Sequence, residues 1–215
     1  MKTQDLPRVP RLCDGGLAIC LGGGPSLTPD VVEQVRGRAD VVIAINNAFA
    51  WAPWATALFA ADARWWRWNT NDPSRPDWRT FAGQKYTMDR TVPYPDVVRL
   101  KMTGMDGIDW EATGVRSGQN SGYAAINLAI HMGATTIALL GYDLQDGPTG
   151  ARNFHTQHKV DERKKYAQWR EHFHRLPSCL EGHGIQVINC TPGSALTCFE
   201  QRPLAEALAV RSVAA

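Results

Sequence analysis

The residues best suited to chemistry stand in short polar or glycine-rich stretches that follow apolar runs. Gly22-Gly23-Gly24-Pro25-Ser26 is the clearest; it follows the apolar run 16–21 and leads into a helix pattern. Glycines let a backbone come close to a phosphate and aim N–H groups at it. A helix beginning just beyond adds the positive end of its dipole. The stretch is not a Walker A loop, because no Gly-Lys-Ser/Thr follows, and not GxGxxG, because Leu27 stands where the third glycine would be. A tight turn without a ligand is the alternative.

Three more stretches have the same character. Asn46, Asn47 and Asp62 end the second and third apolar runs, where amides and carboxylates suit ribose or sugar hydroxyls and base edges. Ser117-Gly118-Gln119-Asn120-Ser121-Gly122 precedes a helix, with Ser121 expected as its cap, and offers a second anion or sugar site or simple capping. Thr135 to Leu140 runs into Gly141-Tyr142-Asp143, and a late strand runs into the polar turn Thr191-Pro192-Gly193-Ser194.

His155 and His158 flank Thr156-Gln157 in a polar loop, and histidine is the natural general base near neutral pH. The other histidines carry no such signal: His131 ends a helix, His172 and His174 lie on a charged helix, and His183 lies in a glycine turn. Arg116, Arg152 and Lys159 lie near these loops and can offset phosphate charge. Trp65 and Trp68 share a helix face and Trp66 points elsewhere, a spacing read as core packing against a sheet.

The elements that must hold these residues follow from hydrophobic pattern. Runs 16–21, 41–45, 57–61, 135–140 and 185–189 read as buried strands. Thr28 is an expected N-cap with Pro29 at the first helical position. Further helices are expected over 122–131, over about 160–181 and from Pro203. The stretch 69–115 is rich in proline, glycine and charge and reads as an irregular, edge-of-sheet or lid-like insertion, with weak strands near 85–88 and 97–100. Strands alternating with helices predict a single α/β domain over 1–215, with a mostly parallel sheet and helices on both faces.

Composition bounds the rest. The chain has 215 residues, 44% of them hydrophobic and 20% charged, so it can bury a core without disulfides or metal. A formal net charge of +2 gives no basic field for nucleic-acid binding. The five cysteines form no CxxC pair and read as buried small hydrophobes in a reducing compartment, with no metal site. The absence of a signal-peptide pattern or a run of ~20 apolar residues leads to the expectation of a cytoplasmic protein with no membrane span.

In motif order the chain resembles the MptE-like group, which includes 6-hydroxymethylpterin diphosphokinases and flagellin glycosylation factors, and is similar to the bacterial family-42 sialyltransferases. The matching positions are Gly22 to Leu27, Asn46, Asp62, Asn120-Ser121-Gly122, Gly141-Tyr142-Asp143, His155/His158 and 189–196, spanning 16–197. The resemblance implies a Rossmann-like nucleotide-binding fold. It also implies a transferase that moves a sugar from a nucleotide-sugar to a hydroxyl on a small molecule or glycan, with no metal required. In that scheme the glycine turn meets phosphate, and Asn46, Asn47, Asp62, Asn120, Ser121, Gly122, Asp143, Pro192 and Ser194 surround the nucleotide. His158, or His155 in its place, deprotonates the acceptor. A tyrosine pair that steadies the leaving phosphate in those sialyltransferases has no counterpart between Leu144 and Phe154, and Asp62 stands where asparagine is usual. The alternatives are pyrophosphate transfer from ATP to a pterin alcohol, with Mg²⁺ held by Asp62 and Asp143, and nucleotide binding without catalysis.

Overall fold

The computed structural model describes residues 7–156 and 163–209. In chain order the strands are β1 (Leu17–Leu21), β2 (Val41–Ile45), β3 (Ala57–Phe59), β4 (Gln84–Thr87), β5 (Val97–Arg99), β6 (Lys101–Gly104), β7 (Gly114–Arg116), β8 (Thr136–Leu140), β9 (Gln186–Asn189) and β10 (Glu200–Gln201). The α-helices are α1 (Pro29–Gln34), α2 (Ala63–Asn71), α3 (Ser121–His131), α4 (Tyr166–His174), α5 (Leu176–Leu180) and α6 (Leu204–Ala209).

Eight strands form one sheet in the order β10-β9-β8-β1-β2-β3-β4-β5, and every pairing in it is parallel. The chain leaves β1 toward β5 on one side and later continues from β8 toward β10 on the other. The order therefore reverses between β1 and β8, and a crevice opens beyond their carboxyl ends. The β1–β8 register pairs Leu21 with Leu140, which sets Gly22 beside Gly141. This is the expected α/β domain.

β1 is apolar throughout because both of its faces are covered. Ala18 and Cys20 join the core that holds α3, Phe173 of α4 and Leu176 of α5. Leu17, Ile19 and Leu21 join the opposite core with Val32 of α1, Trp65 and Trp66 of α2 and Ala207 of α6. Thr28 caps α1 as expected, its Oγ1 accepting from the Val31 amide at 3.2 Å, with Pro29 at the first position.

Several local expectations need correction. β3 ends at Phe59, two residues early, because the chain turns into α2 with Asp62 at the N-cap position. α3 is capped by Asn120, whose side chain accepts from the Gly122 amide at 2.8 Å, so Ser121 is the first helical residue. The stretch 69–115 is not irregular throughout: β4 and β5 extend the main sheet, and β6 and β7 form a parallel two-stranded ribbon. The expected helix over 160–181 is two helices that part at Arg175, because Pro177 has no N–H to continue the ladder. Its first residues lie outside those described.

Cys20 and Cys190 are buried, but Cys13, Cys179 and Cys198 are only partly so; all five are free thiols. Burial pushes the Cys20 thiol up to about 12 and that of Cys190 to about 11. Among the described residues no helix is long and apolar enough to cross a membrane.

Candidate functional site

The crevice at the strand reversal is a cleft of about 220 Å³. The three glycines of the first turn, Asn46 and Asn47 after β2, Asp62 after β3, residues 119–122 at the start of α3 and residues 141–145 after β8 all line it. Residues far apart in sequence meet there because parallel strands deliver their carboxyl ends to one edge.

The three glycines do different things. The Gly22 amide donates to Leu140 O at 2.7 Å and the Gly24 amide to Gly141 O at 2.9 Å. A Cβ on Gly22 would overlap the Gly141 carbonyl, and one on Gly24 would overlap the Asp143 carboxylate. These two are glycines because the turn after β8 lies against them. Gly23 differs: a Cβ there would meet only Asn153 Oδ1, at 3.6 Å. Its carbonyl accepts from the Phe154 amide at 3.2 Å, and among the described residues its N–H has no acceptor. Among the described residues the turn thus leaves one backbone donor without a partner at the cleft rather than a cradle of several. Pro25 and Ser26 do not line the cleft.

Ser26 is instead bound to Asp143, which accepts from its amide at 3.1 Å and its hydroxyl at 2.8 Å. Asp143 is 7% exposed, and burial raises its carboxyl above the ordinary range against the lowering effect of Ser26. Each Asp143 oxygen accepts one hydrogen bond from Ser26. No three His, Cys, Asp or Glu side chains cluster among the described residues.

Asn46 lies in the left-handed region, φ 52, and its amide has no partner among the described residues. Such a backbone in a non-glycine residue is held by its surroundings and frequently marks a site. Asn47 is 2% exposed, and its Oδ1 accepts from Trp65 Nε1 at 2.8 Å, so one role of this amide is to orient the indole. Ser121 Oγ accepts from the Ala61 amide at 3.4 Å and ties the end of β3 to α3.

His155 lines the cleft with its ring edge-on to Phe154. His158 and Lys159 lie outside the described residues. Arg152 lines the cleft, whereas Arg116 does not; its Nη1 donates to Thr103 O at 2.8 Å. Pro192 and Ser194 also stand off the cleft, and Ser194 Oγ donates to Tyr142 O at 2.6 Å to brace the turn after β8.

The structure adds residues that sequence reasoning did not select. Arg75, only 7% exposed, and Arg64 both line the cleft, their guanidinium carbons 5.4 and 5.2 Å from the centre of the Trp68 ring. With Arg152 and Lys165 they outnumber Asp62 and Asp143 among the described lining residues, and Arg75 Nε also pairs with Asp72 Oδ2 at 3.3 Å. Trp65 and Trp68 line the cleft, and only Trp66 is wholly in the core. A tyrosine hydroxyl also reaches the wall: Tyr166 of α4, donating to Asp146 Oδ1 at 3.2 Å, its phenol pushed up to about 12 by burial. The clusters of arginine with tryptophan on α2 were the one available signal; the others are assembled by tertiary contact.

No protein-family model and no curated protein sequence matches the chain. Among solved structures, the sialyltransferase CstII from Campylobacter jejuni, in complex with the substrate analogue cytidine-5′-monophosphate, matches with a TM-score of 0.54. The match covers 91% of this chain and 87% of that one at 13% identity. The chain has a sialyltransferase-like fold. The likeness extends to architecture, and the MptE-like resemblance rests on motifs alone.

Proposed function

We propose that this chain is a nucleotide-dependent transferase, and specifically a glycosyltransferase that moves a sugar from a nucleotide-sugar to a hydroxyl acceptor. The observation that carries the reading is that Gly23, whose N–H has no acceptor among the described residues, lines a cation-rich cleft at the strand reversal. The likeness of fold to a sialyltransferase in complex with cytidine-5′-monophosphate supports it.

In this scheme the donor phosphate meets Gly23, and Arg64, Arg75, Arg152 and Lys165 provide the positive field. The acceptor oxygen bonds to the anomeric carbon as the bond from that carbon to the phosphate oxygen breaks, and the nucleotide leaves with the electron pair. The acceptor proton passes to an imidazole, that of His158 or His155. Negative charge growing on the leaving phosphate is met by the Gly23 N–H and by the cationic side chains of the cleft.

A thermal-shift screen of CMP, UDP, GDP and ATP compounds, with and without Mg²⁺, tests the reading. A ligand at 100 times its Kd stabilises by about 2.7 kcal/mol. Stabilisation by a nucleotide without Mg²⁺, followed by sugar transfer from the matching donor, supports it. A response to ATP that requires Mg²⁺ favours the diphosphokinase, and no response to any nucleotide overturns both.

A further inference from the structure

Gln119 lines the cleft one residue before the cap of α3, in the left-handed region at φ 53. Its side-chain nitrogen lies 3.2 Å from His172 Nε2, and His172 Nδ1 lies 2.6 Å from Asp106 Oδ1. The other Asp106 oxygen accepts from Arg175 Nη1 at 2.6 Å, and Arg175 also pairs with Glu171. The loop carrying Asp106 is pinned by the Tyr123 hydroxyl, which accepts from the Gly107 amide at 2.7 Å. Gln119 joins this chain of contacts to the cleft; His172 and Asp106 do not line it.

The order of donors along this chain is determined by one end. Hydrogen bonds from His172 and Arg175 hold the Asp106 carboxyl below the ordinary range, so it is ionised and only accepts. In the neutral form of the imidazole the proton is therefore on Nδ1, and Nε2 presents a lone pair. That lone pair needs a donor, and the Gln119 amide supplies its N–H. The amide oxygen is then left for the cleft.

We propose that Gln119 is a specificity-determining residue, held by the His172–Asp106 pair so that its carbonyl oxygen receives a hydrogen-bond donor of the bound nucleotide. The proposal rests on the nucleotide reading above. His172 and Asp106 are positioning residues that act through Gln119. The ligand group is an exocyclic amine of the base or a ribose hydroxyl, which share this chemistry.

Asp106→Asn gives a distinctive outcome. Arg175 still needs an acceptor and takes the new amide oxygen, so the amide N–H turns to His172 Nδ1. The imidazole proton then moves to Nε2, the Gln119 oxygen turns to meet it, and an N–H faces the cleft. A wrong tautomer from the same substitution is known to disable a catalytic histidine with its geometry intact.

The test has two arms. Nitrogen-15 NMR of the His172 ring is expected to show Nδ1–H in the native protein and Nε2–H in Asp106→Asn. Calorimetry then measures cytidine 5′-monophosphate against its analogue without the exocyclic amine and against its 2′-deoxy and 3′-deoxy forms. Loss of the group that Gln119 meets should weaken native binding about tenfold or more, since the complex then covers an acceptor that has no partner. That penalty should vanish in Gln119→Leu and in Asp106→Asn, and the analogue that shows it identifies base or ribose. Gln119 is exposed, so the leucine variant is expected to fold and suffices if Asp106→Asn does not. Native Nε2–H, or equal penalties in native and Gln119→Leu proteins, overturns the proposal while leaving the nucleotide reading in place. Failure of the native protein to bind any nucleotide in the wider screen overturns both.

Discussion

Asp143 and Ser26, 117 positions apart, are joined by two hydrogen bonds of 3.1 and 2.8 Å across the point where the sheet reverses. The glycine turn after β1 and the turn after β8 are therefore one rigid edge, and the cleft takes its shape from that junction.

Gly23 and Gly24 should respond oppositely to substitution. Gly24→Ala puts a methyl into the Asp143 carboxylate and should destabilise the fold by about 1–3 kcal/mol. Gly23→Val has room for its side chain in the cleft and should fold, while nucleotide affinity falls tenfold or more, about 1.4 kcal/mol. Melting curves and calorimetry on the two variants check this; unchanged nucleotide affinity in folded Gly23→Val refutes the phosphate role.

Asp143→Asn tests the electrostatics of the junction. Burial raises the Asp143 carboxyl, so the folded state favours its protonated form. That contribution to stability is complete below the ordinary carboxylate range and is lost as pH rises through the raised value. An asparagine cannot ionise and can still bond Ser26. Relative to the native protein, Asp143→Asn should therefore gain in melting temperature between pH 4 and pH 8. A gain that shrinks over that range contradicts the raised value.

The two histidines of the loop separate by turnover. If His158 is the base, His158→Ala should cut sugar transfer by roughly 10²–10⁴-fold with donor affinity nearly unchanged. If His155→Ala loses activity and His158→Ala keeps it, the role lies three residues upstream. Full activity in both rules out a base from this loop.

Asn47→Leu removes the acceptor of Trp65 Nε1 from a buried site. Leaving that N–H unpaired should cost about 1–3 kcal/mol. Chemical denaturation measures the loss. A change within 0.5 kcal/mol, the usual range for an ordinary surface substitution, would show that the bond does not hold the indole.

Local pattern by itself determined the parallel α/β arrangement. Five apolar runs read as strands, each of the first three followed by a polar or glycine-rich turn, and Thr28-Pro29 marked a helix start. Those features depend on periodicity and capping, which act over a few residues. Only the tertiary structure decided what each site residue does. Gly22 and Gly24 looked like phosphate glycines, yet packing from Gly141 and Asp143 requires them. His172 read as an ordinary helix histidine, yet Asp106 and Gln119, 66 and 53 positions away, flank its ring. Arg75 gave no sign of lying buried in a cleft. A donor's partner is set by which chain ends the sheet brings to one edge, and that is a property of strand order, which no local spacing encodes.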